Sequence, residues 1–180
     1  MTERPDLQVS LRPWASDDLR LLERLLGDPD MTRFIGGPES PEKLRDRHRR
    51  YLDFQAPGGT FAISIETDGA GVGWVGYWPS EGHGEQVWEV GWSVLPDYQG
   101  RGIATAAMKL ALDSARRERL HRFADAYPSV DNGPSNRVCE KLGFEFLGEA
   151  DVEYPPGNTM HSNHWRLDLT EEPRGEAYAR

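Results

Sequence analysis

The chain has 180 residues, 37% hydrophobic and 28% charged, the make-up of one water-soluble domain with a sizeable core. A formal net charge of −9 excludes the basic footprint of a general nucleic-acid binder; it suits a cationic partner such as an amine, although solubility alone accounts for it. No apolar run approaches the roughly 20 residues of a membrane helix, MTERPDLQVS resembles no signal peptide, and Cys139, the one cysteine, leaves no internal disulfide, so a cytoplasmic protein is expected.

In chain order, LQVSLRPW alternates like a strand, with Leu7, Val9 and Leu11 on one side. Ser16 reads as the N-cap of a helix, with Asp17 and Asp18 favoured in its first turn by the dipole. Leu19, Leu22 and Leu26 form its stripe and Gly27 its stop. A second helix is predicted from Ser40, with Pro41 at its first position and Leu44, Tyr51 and Leu52 among four arginines. FAISI (61–65) and GWVGYW (73–78) flank the turn DGAG, and SEGHGE (80–85) is another turn. QVWEVGWSVL (86–95) then alternates cleanly: Trp88, Val90, Trp92 and Val94 face one way, Val87, Glu89, Gly91 and Ser93 the other. These strands form an antiparallel meander ending at Pro96. A helix follows with Ala104, Ala107, Met108, Ala111, Leu112 and Ala115 at helical spacing, small enough to lie close against a sheet. RFADAY (122–127) reads as a strand. Pro134, Ser135 and Val138–Leu142 mark a short helix closed by Gly143, and FEFLGEA and NHWRLDL are strand-like. The whole is a single mixed α/β domain over 1–180, with its core at about 7–169 and a polar tail at 170–180 expected to fray.

The stretch PDYQGRGIATAAM (96–108) places two glycines where a helix is about to start. A helix start leaves four backbone N–H groups without intrahelical partners, and with the dipole they make an anion site. Glycine keeps side chains out of that space, Arg101 adds charge at the rim and Thr105 a hydroxyl in the first turn. The physical reading is a pyrophosphate cradle; a plain strand-to-helix turn is the alternative. Neither Gly-Lys-Ser nor Gly-Lys-Thr occurs, so this is no Walker loop. Thr105 stands where a dinucleotide fingerprint wants its third glycine, and Asp125 as the ribose acid would need a run of parallel βαβ units that the chain lacks.

EVGWSVLPDYQGRGIATAAM followed by DNGPSNRVCEKLGFEFLGE resembles the GNAT superfamily of acyl-CoA-dependent N-acyltransferases, and within it the branch with the RimJ and RimL N-terminal acetyltransferases. Gln99, Gly102 and Ala104 fill the loop motif; Asn132, Ser135 and Leu142-Gly143-Phe144 fill the second element. LRPW and the capped helix after it also resemble this branch. The resemblance implies a mostly antiparallel central sheet flanked by helices, with a strand pair splayed by a bulge at the acyl-CoA site. It implies that backbone groups of Gln99, Gly100, Arg101, Gly102, Ile103, Ala104 and Thr105 hold the CoA pyrophosphate. Val94 and Leu95 would bond the pantetheine arm through their main chain, as an added strand does, and one free donor of the splayed strand would face the thioester oxygen. Asn132 and Asn136 would sit beside the same ligand; turn chemistry alone also explains Asn132 in DNGP.

The activity implied is acetyl transfer from acetyl-CoA to a primary amine, of a peptide N-terminus or a small molecule, by direct attack in a ternary complex. The amine must lose a proton, and Glu89 is the candidate base; an ordinary strand carboxylate is the other reading. Cys139 stands where several family members carry an acid tyrosine, so that role is not carried over, and Tyr127 and Tyr154 have no positional support. Trp74, Trp78, Trp88 and Trp92 suit a core, an acceptor groove or a homodimer face, with Trp92 the expected substrate-binding residue. His83, in a glycine-rich turn, reads as a surface residue. His161 and His164 lack a third ligand in a loop entering a strand, so no metal is expected. A non-catalytic acyl-CoA-binding domain and a nicotinamide-dependent oxidoreductase remain as alternatives.

Overall fold

A computed structural model describes residues 8–65 and 69–171. Leu7, Asp68 of the DGAG turn and most of the polar tail, 172–180, lie outside the described residues. The strands are β1 (Ser10–Pro13), β2 (Gly59–Ser64), β3 (Gly71–Gly82), β4 (Glu85–Val94), β5 (Phe123–Ala126), β6 (Glu145–Glu153) and β7 (Thr159–Asp168). The helices are α1 (Leu19–Leu26), α2 (Pro29–Thr32), α3 (Pro41–Leu52), α4 (Ile103–Glu118) and α5 (Gly133–Lys141). One seven-stranded sheet has the order β1-β2-β3-β4-β5-β7-β6, and every neighbouring pair is antiparallel except β4 with β5. This is the mixed α/β fold expected.

The sheet carries a core on each face. Ile63, Val75, Trp88, Val90 and Val94 pack with Ile103, Ala107, Met108, Ala111 and Ala115 of α4 and with Cys139 of α5. The three buried alanines let α4 approach the strands closely, as their spacing predicts. On the opposite face Trp14, Leu21, Leu22, Leu25 and Leu44 close over Ala62. The buried stripe of α1 is thus Leu21, Leu22 and Leu25 rather than one led by Leu19.

Local chemistry explains further departures. Ser16 is not the cap of α1: a 3₁₀ turn over Ser16–Asp18 comes first, and the Asp18 carboxylate accepts the Ala15 N–H at 2.8 Å while gripping Arg12 bidentately at 2.7 Å. Ser40 does cap α3, accepting the Lys43 N–H, with Pro41 behind it. The turn predicted over 80–85 shrinks to His83 and Gly84. Their φ values of 51° and 75° give the two-residue hairpin a twist that lets β3 run on to Gly82. TMHSNHWRLD lies wholly within β7, not in a loop.

Candidate active site

The site lies where β4 and β5 part. β4 has ten residues, yet it pairs with β5 only at Trp88↔Ala124 and Glu89↔Asp125. Among the described residues, no strand lies beside its outer edge from Val90 to Val94. The expected bulge is absent: β3 and β4 keep one register from Gly73↔Val94 to Gly82↔Glu85, and the irregularities fall at Ile63/Ser64 and Phe146/Gly148. The gap arises because β5 ends early, not because β4 kinks. The Leu95 N–H is bound to Val72 O at 2.9 Å, on the β3 side. By alternation, the main chains of Trp92 and Val94 face the gap. The Leu95 N–H is thus not a free donor; the N–H groups of Trp92 and Val94 are the ones turned to the gap.

At the end of β4, Gln99 donates to Val94 O at 2.8 Å, so its side chain fixes the turn. Gly100 and Gly102 have φ of 71° and 78°, a conformation glycine adopts without strain. Gly102 is the N-cap of α4 and no side chain caps it. A Cβ added at either glycine would meet nothing within 4 Å, so no neighbouring atoms crowd the turn in front of the first turn of α4. Arg101 is exposed and rests over the Tyr98 ring at 5.7 Å. Uncapped amides, a positive dipole end, open space and a cation at the rim fit a diphosphate.

Asn132 caps α5, its Oδ1 accepting the Ser135 N–H at 3.2 Å, as turn chemistry predicts. Asn136 is 9% exposed and fully engaged. Its amide donates to Ser129 O and Asn132 O, and its oxygen accepts from Asn163 Nδ2 and Trp165 Nε1, all within 2.9 Å. No atom of Asn136 is left for a ligand; it ties α5 to β7 instead.

Glu89 faces the side of the sheet that α4 does not cover, beside its cross-strand partner Trp78. It is half-buried, and its Oε2 accepts from Ser80 Oγ at 2.9 Å. Burial raises its pKa; the Ser80 bond opposes this and the negative charge of Asp125 adds to it. Asp125 has no solvent exposure. Burial pushes its pKa up, but bidentate bonds from Arg166 (2.7 and 2.8 Å) and the neighbouring His164 outweigh that and lower it. His164 Nε2 is 2.9 Å from Asp125 Oδ2 though out of line for a hydrogen bond, and its Nδ1 is 3.0 Å from His83 Nε2. His83 is therefore tied into this group despite its surface position. Tyr127 donates to Asp125 at 3.3 Å, and burial, then that carboxylate, raise its pKa.

The Trp92 side chain is half-buried and packs on the α4 core, on the face opposite Glu89. Trp74 and Trp78 share Glu89's face instead. The alternation in GWVGYW and QVWEVGWSVL held that information once β3 and β4 were paired. Cys139 has no exposure, and burial pushes its thiol up to about 12, so it is neither acid nor nucleophile. His161 and His164, three apart on a strand, point to opposite faces: His161 meets Asp151 and Glu149, and His164 meets Asp125. Among the described residues no cluster of three or more His, Cys, Asp or Glu could hold a metal ion, and no helix is long and apolar enough to cross a membrane.

This architecture is that of an acetyltransferase. Residues 8–145 match the acetyltransferase (GNAT) domain, and the chain belongs to that family. An uncharacterized N-acetyltransferase, YnaD, of Bacillus subtilis is 35% identical over 90 residues, 49% of this chain and 52% of that protein; the match thus spans about half its length. Spermidine N(1)-acetyltransferase of Escherichia coli is 28% identical over 152 residues, 81% of this chain and 77% of that one. A GNAT-family acetyltransferase structure from Bacillus anthracis superposes with a TM-score of 0.75 at 22% identity, covering 91% of this chain and 96% of that one.

Proposed function

We propose that the chain transfers an acetyl group from acetyl-CoA to a primary amine by direct attack, as a single-domain enzyme of the RimJ/RimL-like branch acting in the cytoplasm. The branch reading rests on LRPW and the acid-led helix after it; the location rests on a lone cysteine, which is buried. One observation carries the activity: β4 leads into the uncapped glycine turn and, five residues before its end at Val94, presents a half-buried carboxylate at the mouth of the gap.

Each part has a task. The amides of Gly100 through Thr105 and Arg101 hold the diphosphate. The edge of Trp92 and Val94 aligns the pantetheine arm, and one of its N–H groups faces the thioester oxygen as charge builds there. A lysine-type amine has a pKa near 10.4 and an α-amine near 8, so at neutral pH the acceptor arrives as an ammonium. Glu89 takes its proton, its pKa raised by burial. The neutral nitrogen bonds to the carbonyl carbon as the carbon–sulfur bond breaks, and the sulfur leaves as thiolate. Cys139 is buried in the α4-side core and Asn136 is taken up by Ser129, Asn132, Asn163 and Trp165, so neither is given a role; Asn132 holds the α5 start beside the gap.

The test is a thermal shift with acetyl-CoA, longer acyl-CoAs and NAD, followed by thiol release with a panel of amines. Stabilisation by acetyl-CoA together with amine-dependent thiol release supports the reading. Stabilisation by NAD alone overturns it, and acetyl-CoA binding with no turnover of any amine makes the chain a sensor rather than an enzyme.

A further inference from the structure

The face that holds Glu89 also carries a row of aromatic rings. Tyr51 of α3 stacks on Trp74 with centroids 5.5 Å apart and planes 6° apart; Trp74 stacks on Trp78 at 6.1 Å and 30°. Both tryptophans are half-buried, with Trp74 anchored at the edge of the α1/α3 core. The indoles lean across the sheet over Gly91: a Cβ built there would stand 3.2 Å from both rings. Gly76, opposite Gly91 in the register, is equally hemmed by Trp74. Two facing glycines thus give the rings a flat floor, and Gly91 lies two residues beyond Glu89, past the last β4–β5 pair.

Charge on this face is nearly all committed. Asp125 belongs to Arg166 and His164, and Glu39 to Arg47. Glu89 is bonded only by a hydroxyl, leaving one carboxylate for one ammonium. At the far end of the row the Arg47 guanidinium, 6.0 Å from the Tyr51 ring centre, already holds Glu39, so that carboxylate is not available to a second ammonium on a long polyamine. Indole faces attract ring edges and stacked rings over a wide area.

Resting on the acetyl-transfer reading above, we propose that the acceptor is a small arylalkyl primary amine with a single positive charge, its ammonium at Glu89 and its ring on Trp78 and Trp74. The aromatic row sets specificity by holding the ring; the chemistry at nitrogen stays with Glu89.

The experiment compares phenethylamine, n-butylamine, spermidine and an alanyl peptide amide as acceptors for the full chain, by acetyl-CoA-dependent thiol release. Phenethylamine is expected to exceed n-butylamine in kcat/KM by about tenfold, the equivalent of ~1.4 kcal/mol of ring contact. Trp78→Ala removes that preference through KM, and Trp78→Phe restores most of it. Equal or greater turnover of spermidine or the alanyl peptide, or a Trp78→Ala loss shared by every amine, overturns this specificity while acetyl transfer stands. A folded, acetyl-CoA-binding protein that releases thiol with no amine overturns both.

Discussion

Glu89 is an ordinary strand residue by sequence, and its neighbours make it chemically useful. Burial raises its pKa above that of a solvated glutamate, which makes it the stronger proton acceptor. The acid limb of kcat against pH should rise through a value above the usual glutamate figure of about 4.3. Glu89→Gln should lower kcat about 100-fold or more, with little change in acetyl-CoA affinity, and erase that limb. An unchanged limb would assign it to another group. Asp125 makes the opposite case: its pKa is lowered, so the folded chain keeps it ionised where the unfolded chain takes up a proton. Its contribution is therefore complete above about pH 4 and fades as pH falls below that. Asp125→Asn takes from the half-buried Arg166 its fully buried partner and leaves it Glu85 and the Gly82 carbonyl, a loss of about 1–3 kcal/mol at neutral pH. Denaturant midpoints taken from pH 7 down to about pH 3 should fall less steeply for the variant than for the parent; parallel curves would mean that Asp125 does not set the acid limb. No local pattern in RFADAY announces that Asp125 will lie beside Glu89, because that neighbourhood is made by β4 and β5 pairing across 35 intervening residues of chain.

At the scale of elements, the stretch from β4 through α4 carries the site and was the most legible in sequence. Strand alternation, the glycines and the helical alanines each have a local cause, and the structure places them accordingly. What stayed hidden was how backbone donors are shared. That Leu95 turns its N–H toward Val72, leaving Trp92 and Val94 for the gap, follows from register, and a sequence alone does not give register. Likewise Asn136 matched a motif by position, yet the bonds its oxygen accepts from Asn163 and Trp165 depend on β7 lying against α5. Gly102→Val tests the element directly. A branched residue at φ 78° costs about 1–2 kcal/mol of strain, but a Cβ there meets no neighbour, so the fold persists. Acetyl-CoA affinity, read by calorimetry, should fall at least about tenfold as the new side chain fills the space before the amides. Unchanged affinity in a folded variant would remove the turn from the site.

Across the whole molecule, the two faces of the sheet do different work. α4 and α5 cover one face and bring the helix start to the end of β4; α1 and α3 cover only part of the other, leaving Glu89 and the indole row open beside them. The order of elements was readable along the chain, but the insertion of β7 between β5 and β6, which brings Arg166 and His164 to Asp125, was not: each of those strands reads the same in any sheet order. The central claim is that the amides opening α4 grip a diphosphate while the gap beyond Glu89 receives the arm that follows it. A crystal structure of the chain with acetyl-CoA tests it most directly. The account predicts the diphosphate against residues 99–105 and the thioester between Trp92 and the end of β5; a diphosphate bound elsewhere, or a thioester on the α4 side of the sheet, would contradict it.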